Sequence, residues 1–340
     1  MLDYKKTLRH LCSIMSVSGC EREAAEGIIK EYGKYFDSIE VDSTRNIILH
    51  KKPQKNNAPK LMLDAHIDQI GMIVTGITDE GLLRVAPIGG IDRVILPSAE
   101  VKVYGKKTVF GVISSVPPHL QKPGDTAAPE WKDVRIDIGY TKEGAENIIE
   151  IGTPVCWYYT GDELMNDRIT GVAFDDKACA AGLMCAVANT PKKDMEYDTY
   201  ITLSAGEEIG GNAARNAAFK IKPDFAVVTD VNFANTPGVE EDESGKLGEG
   251  VMISLSAVTD RPLTKKIIAL AEKNEIPVSK VVEPTNTGTN ANCLVYTENG
   301  IPAAVVSLPL AGMHSYNEML DMKDTGYFTK LFGLILTNEI

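Results

Sequence analysis

Several features are scarce in this chain of 340 residues, and each scarcity argues against a class of protein. The six cysteines form no C-x-x-C pair, which favours reduced, mostly buried thiols in a cytoplasmic protein over a disulfide framework. Lysine and arginine number 35 against 47 acidic residues, so the net charge of -12 gives a nucleic-acid-binding role no electrostatic support. Only two tryptophans are present, too few for the aromatic platform of a sugar-binding cleft.

Long apolar runs are also missing. No stretch reaches the length needed to cross a bilayer, and the first ten residues lack the apolar core of a secretory signal. We therefore expect a cytoplasmic protein with no membrane partner. The remaining composition, 44% hydrophobic and 24% charged, is typical of a globular protein, and the length suffices for one large domain or two ordinary ones.

The pattern of apolar residues changes twice along the chain. Two helices are predicted first, Tyr4–Met15 and Ala24–Phe36, the second preceded by the capping-box pattern Ser18-Gly-Cys-Glu21. Short β-rich runs separated by glycine and proline fill residues 71–159, as in a small antiparallel barrel. Helices and strands alternate afterwards. We therefore predict an α/β domain formed by 1–70 and 160–340, with a β domain inserted at 71–159.

Two adjacent acids, Glu207 and Glu208, directly follow a predicted buried strand that ends at Leu203. Adjacent carboxylates at a strand end point in different directions, so that one can bind a metal while the other carries a proton. An isolated pair of this kind is more often a solvated acidic turn. Whether Glu207 and Glu208 belong to a functional site therefore depends on which other polar side chains lie near strand ends.

Four further candidates for metal binding lie just past predicted strands or just before a helix. Each also has an ordinary structural interpretation: a histidine in the core, a helix N-cap or the first residue of a turn. Imidazole and carboxylate together suit Zn²⁺, and two neighbouring ions need a bridging carboxylate and terminal ligands on each side. Asp68 is placed to accept a hydrogen bond from the second imidazole nitrogen of His66. The four candidates are His66, Asp175, Asp230 and His314.

These residues lie in segments that resemble one known family across essentially the whole chain. The segments are Ala65–Gly71, Ala173–Lys177, Gly206–Gly210, Thr229–Val231, Gly288–Ala291 and Met313–Glu318. They resemble the tetrahedral (TET) aminopeptidases with two metal ions, the group that contains glutamyl and leucyl aminopeptidases. The resemblance implies a zinc-exopeptidase-like mixed sheet flanked by helices, with an inserted β-barrel domain that serves oligomerisation and substrate access.

The resemblance also implies a division of labour among the metal ligands. It makes Asp175 the bridge between two divalent ions. It assigns His66 and Asp230 to one ion, and Glu208 and His314 to the other. Zn²⁺ is the expected metal, with Co²⁺ or Mn²⁺ as alternatives.

The catalytic chemistry follows from the same resemblance. Glu207 would be the general base that takes a proton from water and passes it to the leaving amine, while Asp68 would support His66. The substrate would be a peptide, bound through its free α-amine so that only the N-terminal residue is removed. Members of the family assemble as dimers and as dodecameric tetrahedra, so a homo-oligomer is expected.

Four positions depart from the family pattern. Gln69 and Asn290 stand where acids are usual, and Lys177 stands where arginine is usual. The stretch Leu310–Met313 replaces the usual Arg-Tyr pair before the last histidine. Because these changes concern the surroundings of the site, we hypothesise a non-standard peptide or a modified amino-acyl substrate.

Three other functions compete with the aminopeptidase. An endoglucanase-type glycoside hydrolase could use Glu207 and Asp175 as its carboxylate pair, but it leaves His66 and His314 without a role. A deacylase of a small amide would use the same metals with a different pocket. A non-catalytic scaffold would have no need of Glu207.

Overall fold

The computed structural model describes residues 1–116 and 128–340. Within these ranges no helix is long and apolar enough to cross a membrane. The α-helices are α1 (Tyr4–Ser13), α2 (Glu21–Tyr32), α3 (Lys142–Glu146), α4 (Phe174–Asn189), α5 (Ala213–Ile221), α6 (Arg261–Lys273), α7 (Ala291–Leu294) and α8 (Met322–Thr337). The first nine strands are β1 (Ser38–Val41), β2 (Ile47–Lys51), β3 (Lys60–His66), β4 (Gly71–Ile77), β5 (Leu83–Ile88), β6 (Glu100–Tyr104), β7 (Thr108–Ile113), β8 (Arg135–Asp137) and β9 (Pro154–Trp157). The others are β10 (Glu163–Leu164), β11 (Arg168–Gly171), β12 (Asp198–Ser204), β13 (Phe225–Phe233), β14 (Val251–Ser256), β15 (Val278–Glu283), β16 (Ala303–Leu310) and β17 (Glu318–Asp321).

The main sheet has eight strands in the order β1-β2-β12-β3-β13-β16-β14-β15. The four strands β12, β3, β13 and β16 run parallel to one another, whereas β2 and β14 pair antiparallel to them on either side. These central strands are apolar and buried nearly throughout, as expected when both faces of a parallel sheet are covered. Their carboxyl ends therefore meet at one edge, where an open α/β sheet places its functional site.

A closed barrel of six antiparallel strands, in the order β4-β5-β8-β7-β6-β9, forms between Gly71 and Trp157. Its strands alternate buried and exposed side chains around a separate apolar core that includes Met72, Val101 and Ile136. The predicted fold class, an α/β sheet with a small antiparallel barrel, is confirmed. The division into 1–70 with 160–340 and 71–159 stays a prediction.

Helix α4 packs against the main sheet and is held there by two other helices. It is buried on all sides because β3 and β13 lie on one face and α1 and α8 on the other. A Cβ atom at Gly182 would come within 2.6 Å of the ring of Phe328, so a glycine is needed for α8 to approach this closely. This packing holds the start of α4 at the carboxyl edge of the sheet.

The predicted capping box at Ser18 is wrong. Helix α2 begins at Glu21 and has Cys20 as its N-cap without a side-chain hydrogen bond. The carboxylate of Glu21 instead accepts from the N–H of Gly19 at 3.0 Å and pairs with Arg45 at 2.7 Å. The hydroxyl of Ser18 donates to Asp68 at 2.6 Å, so a tertiary contact takes the place of the local cap.

Candidate metal centre

The five predicted metal ligands converge at the carboxyl edge of the main sheet. His66 ends β3, whereas Asp230, expected at the end of its strand, lies within β13, which continues to Phe233. Asp175 lies in the first turn of α4, while Glu208 and His314 lie in the segments that follow β12 and β16. The register of β12 on β3 aligns Ser204 with His66, which brings the segment after β12 beside the imidazole.

The ligand atoms form two groups that share one residue. His66 Nε2 lies 2.9 Å from Asp175 Oδ1 and 3.6 Å from Asp230 Oδ1. His314 Nε2 lies 3.2 Å from Asp175 Oδ2 and 3.3 Å from Glu208 Oε2. Within each group all the donor atoms are within 4.8 Å of one another. The two oxygens of Asp175 thus face different histidines, which is the arrangement that a bridging carboxylate requires.

The electrostatics of both groups suit a cation. Hydrogen bonds to Asp175 and Glu208 raise the pKa of His314 to about 11. Burial opposes a charge on His66, but Asp230 and Asp175 outweigh burial and raise its pKa well above the usual value. The carboxylates therefore hold positive charge on the imidazoles in the metal-free chain. Nitrogen and oxygen donors at this spacing fit Zn²⁺ or a similar divalent ion.

Glu207 lies beside these groups and belongs to neither. Burial raises its pKa to about 8, against the opposing effect of His66, and the nearby Asp230 and Glu208 add to the rise. A carboxyl with a pKa near neutrality can both accept and release a proton. Its 3₁₀ turn, Glu207–Ile209, is flanked by two glycines with left-handed φ angles of 70° and 68°, Gly206 and Gly210.

Asp68 supports the site through atoms other than those predicted. His66 Nδ1 lies 3.0 Å from the main-chain carbonyl oxygen of Asp68, whereas the nearest carboxylate oxygen is 3.6 Å away. The carboxylate accepts from the Ser18 hydroxyl at 2.6 Å and from the N–H groups of Glu207 at 3.1 Å and Glu208 at 3.3 Å. One residue therefore orients His66 and anchors the turn that carries the paired glutamates.

Glu318 is a residue of the site for which the sequence suggested no role. Its carboxylate is 2% exposed and accepts from the main-chain N–H groups of Phe174, Asp175 and His314 at 2.6, 3.3 and 3.1 Å. An acid four residues after a candidate histidine ligand was the available signal. Its partners could not be identified because Asp175 is 143 residues away in sequence.

Three of the departures from the family pattern lie in buried contacts. Lys177 donates to Gln69 Oε1 at 2.5 Å and to the carbonyl of Ile14 at 3.0 Å. Asn290 Nδ2 donates to Asp64 Oδ2 at 2.9 Å and to Ser204 Oγ at 2.8 Å. All three side chains are at least nine-tenths buried. These three departures therefore satisfy the hydrogen-bonding groups of buried neighbours. This structural role weakens the argument that they determine which substrate is accepted.

The Asn290→Asp variant is expected to unfold more easily by roughly 1–3 kcal/mol, because it replaces a donor by an acceptor facing Asp64. Burial raises the pKa of Asp64 to about 7, so Asp64 carries its charge increasingly as the pH rises above 7. The loss should therefore be larger at pH 8 than at pH 6, as measured by urea unfolding at both values. Asn290→Ala is the control, since it removes the donor without adding charge. Equal stability of wild type and Asn290→Asp would contradict the assigned contact.

An open cleft of about 460 Å³ gives access to the metal groups, within the range of small-ligand pockets. Met313, the last residue of the fourth departure, Leu310–Met313, lies in its wall. The other wall residues that do not belong to the metal groups include Asn232, Phe233, Glu283, Asn286 and Thr287.

Comparison of the sequence with known proteins finds similarity to aminopeptidases. The family model for M42 glutamyl aminopeptidase matches residues 45–331. The lysyl aminopeptidase of Pyrococcus furiosus is 31% identical over 99% of this chain and 97% of its own length.

Two solved structures bear on assembly and on the competing functions. The TET1 peptidase of Pyrococcus horikoshii, which can assemble into a tetrahedron or a large octahedral shell, superposes with a TM-score of 0.87 at 28% identity, covering 99% of this chain and 100% of that one. A protein of Thermotoga maritima described as an endoglucanase superposes with a TM-score of 0.78 at 27% identity, covering 97% and 96%.

Proposed function

Because the chain belongs to the M42 glutamyl aminopeptidase family and is therefore a peptidase, we propose that it removes N-terminal residues with two metal ions and a glutamate base. The observation that carries this proposal is the carboxylate of Asp175. Its Oδ1 lies 2.9 Å from His66 Nε2, and its Oδ2 lies 3.2 Å from His314 Nε2. A single acid between two histidines supports a two-ion site better than two independent sites.

Five residues would hold the ions. His66 and Asp230 would bind one, Glu208 and His314 the other, and Asp175 both. When bound, the two ions would polarise the scissile carbonyl and anchor the free α-amine of the peptide, which restricts cleavage to the N-terminal residue. Zn²⁺ is the default for these ligands, and Co²⁺ or Mn²⁺ are alternatives to be decided by metal analysis of the purified protein.

Glu207 would move the proton. It lies beside the metal groups without joining them, and its raised pKa, about 8, allows it to accept a proton from the attacking water and return it to the leaving amine. Asp68 fixes the turn that carries Glu207 through the hydrogen bond from its N–H at 3.1 Å. The base is therefore oriented by a buried carboxylate that does not itself take part in the proton transfer.

Removal of metal distinguishes between aminopeptidase and glycoside hydrolase activity. EDTA treatment is expected to abolish hydrolysis of aminoacyl anilides, and Zn²⁺, Co²⁺ or Mn²⁺ should restore it, because in the proposed mechanism the two groups act only through the ions that they would hold. The panel should include leucyl, glutamyl and lysyl anilides, unmodified peptides, an N-acylated amide and a soluble cellulose, with metal content measured on the same sample. Cellulase activity that persists in EDTA would overturn the proposal. Cleavage of the N-acylated amide alone would favour the deacylase.

Assembly into a homo-oligomer, from dimer to dodecamer, is proposed for this chain. The TET1 peptidase can assemble into a tetrahedron or a large octahedral shell. The barrel of this chain exposes large apolar side chains that suit protein contacts, namely Val94, Phe110, Ile151 and Tyr158. We assign oligomerisation and substrate access to 71–159, and a cytoplasmic location stays a prediction. Light scattering of the purified chain distinguishes an oligomer from a monomer.

A further inference from the structure

We propose that Glu318 is a positioning residue that sets the separation of Asp175 and His314 and thereby the affinity of the chain for one of its two metal ions. The inference rests on the proposed function, since it concerns the ion assigned to Asp175, Glu208 and His314. Glu318 itself accepts hydrogen bonds only from main-chain N–H groups and contacts none of the atoms that the proposed mechanism assigns to the reaction. Its effect would pass entirely through main-chain N–H groups.

The contacts of Glu318 join two segments that are far apart in sequence. Oε2 accepts from the N–H groups of Phe174 and Asp175, at the start of α4. Oε1 accepts from the N–H of His314, in the loop after β16. The pairing of Glu318 with Gly171, where β17 meets β11, brings the carboxylate beside the start of α4. One rigid side chain thus connects two of the ligands of a single metal group.

The two metal groups depend on Glu318 to different degrees. His66 and Asp230 lie within central strands, whose ladder hydrogen bonds fix their positions independently. His314 lies in a loop and adopts a φ of 60°, a left-handed conformation that a residue with a side chain seldom adopts without support. The hydrogen bond from its N–H to Glu318 supplies that support. Loss of Glu318 should therefore weaken the His314 group far more than the His66 group.

Glutamine is the most informative replacement because it preserves size and removes an acceptor. A carboxylate offers two acceptor oxygens, whereas an amide offers one oxygen and a donor NH₂ group. In Glu318→Gln, either the start of α4 or the N–H of His314 would face a donor. Since Glu318 is buried, water cannot hydrogen-bond to the groups left unpaired in this variant.

The test is a titration of metal-free protein with Zn²⁺ in an isothermal titration calorimeter, which measures the number of ions bound and the affinity for each. Wild type is expected to bind two ions. Glu318→Gln should bind one ion close to wild-type affinity, because Asp175 is shared by both groups but His66 and Asp230 lie in strands, and the second at least about tenfold more weakly, in the range measured when outer partners of metal ligands are lost. The ion retained should have the same affinity as the single ion bound by His314→Ala.

Asp324 provides a matched control in the same chain. It is a fully buried carboxylate that accepts two main-chain N–H groups, from Gly248 at 2.7 Å and Gly250 at 2.8 Å, and it lies outside both metal groups. Asp324→Asn should lower the melting temperature and still bind both ions with wild-type affinity. Equal weakening of one ion in Asp324→Asn and Glu318→Gln would overturn the inference, because the effect would then reflect general destabilisation.

Further outcomes test the positioning role of Glu318 and distinguish its failure from failure of the two-metal function. Glu318→Gln that binds both ions with wild-type affinity overturns the positioning role. Should Glu318→Gln fail to fold, Glu318→Asp takes its place: it keeps the carboxyl group but is one methylene too short to reach both segments, and the same loss of one ion is expected. Wild type that binds fewer than two ions would instead overturn the proposed two-metal function, which separates the two failures.

Discussion

Glu207→Gln is expected to reduce kcat by about 10²–10⁴-fold while the chain retains both metal ions, because general base catalysis typically contributes an acceleration of this size. The amide has the size of the carboxylate but cannot take a proton from water. Glu207 belongs to neither metal group, so the ligands stay in place. The measurements are kcat with the best substrate of the anilide panel and the metal content of the same protein sample.

Glu208→Gln is the control for this experiment. The neighbouring Glu208 belongs to the group of Asp175 and His314, so its variant should lose affinity for one ion together with activity. If Glu207→Gln loses activity but keeps both metal ions, and Glu208→Gln does not keep both, Glu207 is identified as the base. Unchanged turnover in Glu207→Gln would overturn the assigned role, and loss of metal in that variant would make Glu207 a ligand instead.

Much of the site could be predicted because strand ends follow from apolar patterns. The runs that precede His66, Glu207 and Asp230 are apolar and short, and in an α/β fold such runs become central parallel strands. The carboxyl ends of parallel strands meet at one edge, so the polar residues that follow them meet as well. The prediction that Asp175 bridges two ions came from the family resemblance, since the local sequence there is equally compatible with a helix cap.

Local patterns failed where a side chain found a distant partner. Ser18 has the spacing of a capping box, yet its hydroxyl donates to Asp68, 50 residues away. Glu318 and Asn290 likewise each have a distant partner: Asp175 is 143 residues from Glu318, and Asp64 is 226 residues from Asn290. No periodicity encodes such contacts, because they arise only when separate elements pack together. The structure therefore adds a second set of buried groups, which hold the proposed ligands and the proposed base in position.

Asp175→Asn is expected to have the widest effect on metal binding of any single substitution among the ligands. His66→Ala and His314→Ala should each cost one ion, because each imidazole belongs to one group. Asp175 contributes one oxygen to each group, so its replacement should weaken both ions together. The loss of affinity for each ion should exceed the ~10–100-fold that follows removal of an outer partner of a ligand.

The measurement is Zn²⁺ stoichiometry by calorimetry for the three variants under identical conditions, with anilide hydrolysis assayed in parallel. An asparagine at position 175 has one oxygen and one NH₂ group, so it can face one histidine as an acceptor but offers no ligand atom to the second ion. Hydrolysis should fall to background in Asp175→Asn even with excess metal. If one ion still bound with wild-type affinity, the two groups would be independent sites. The contacts of Asp175 with both histidines would then be only hydrogen bonds of the metal-free chain, and the two-ion mechanism would lose its bridge.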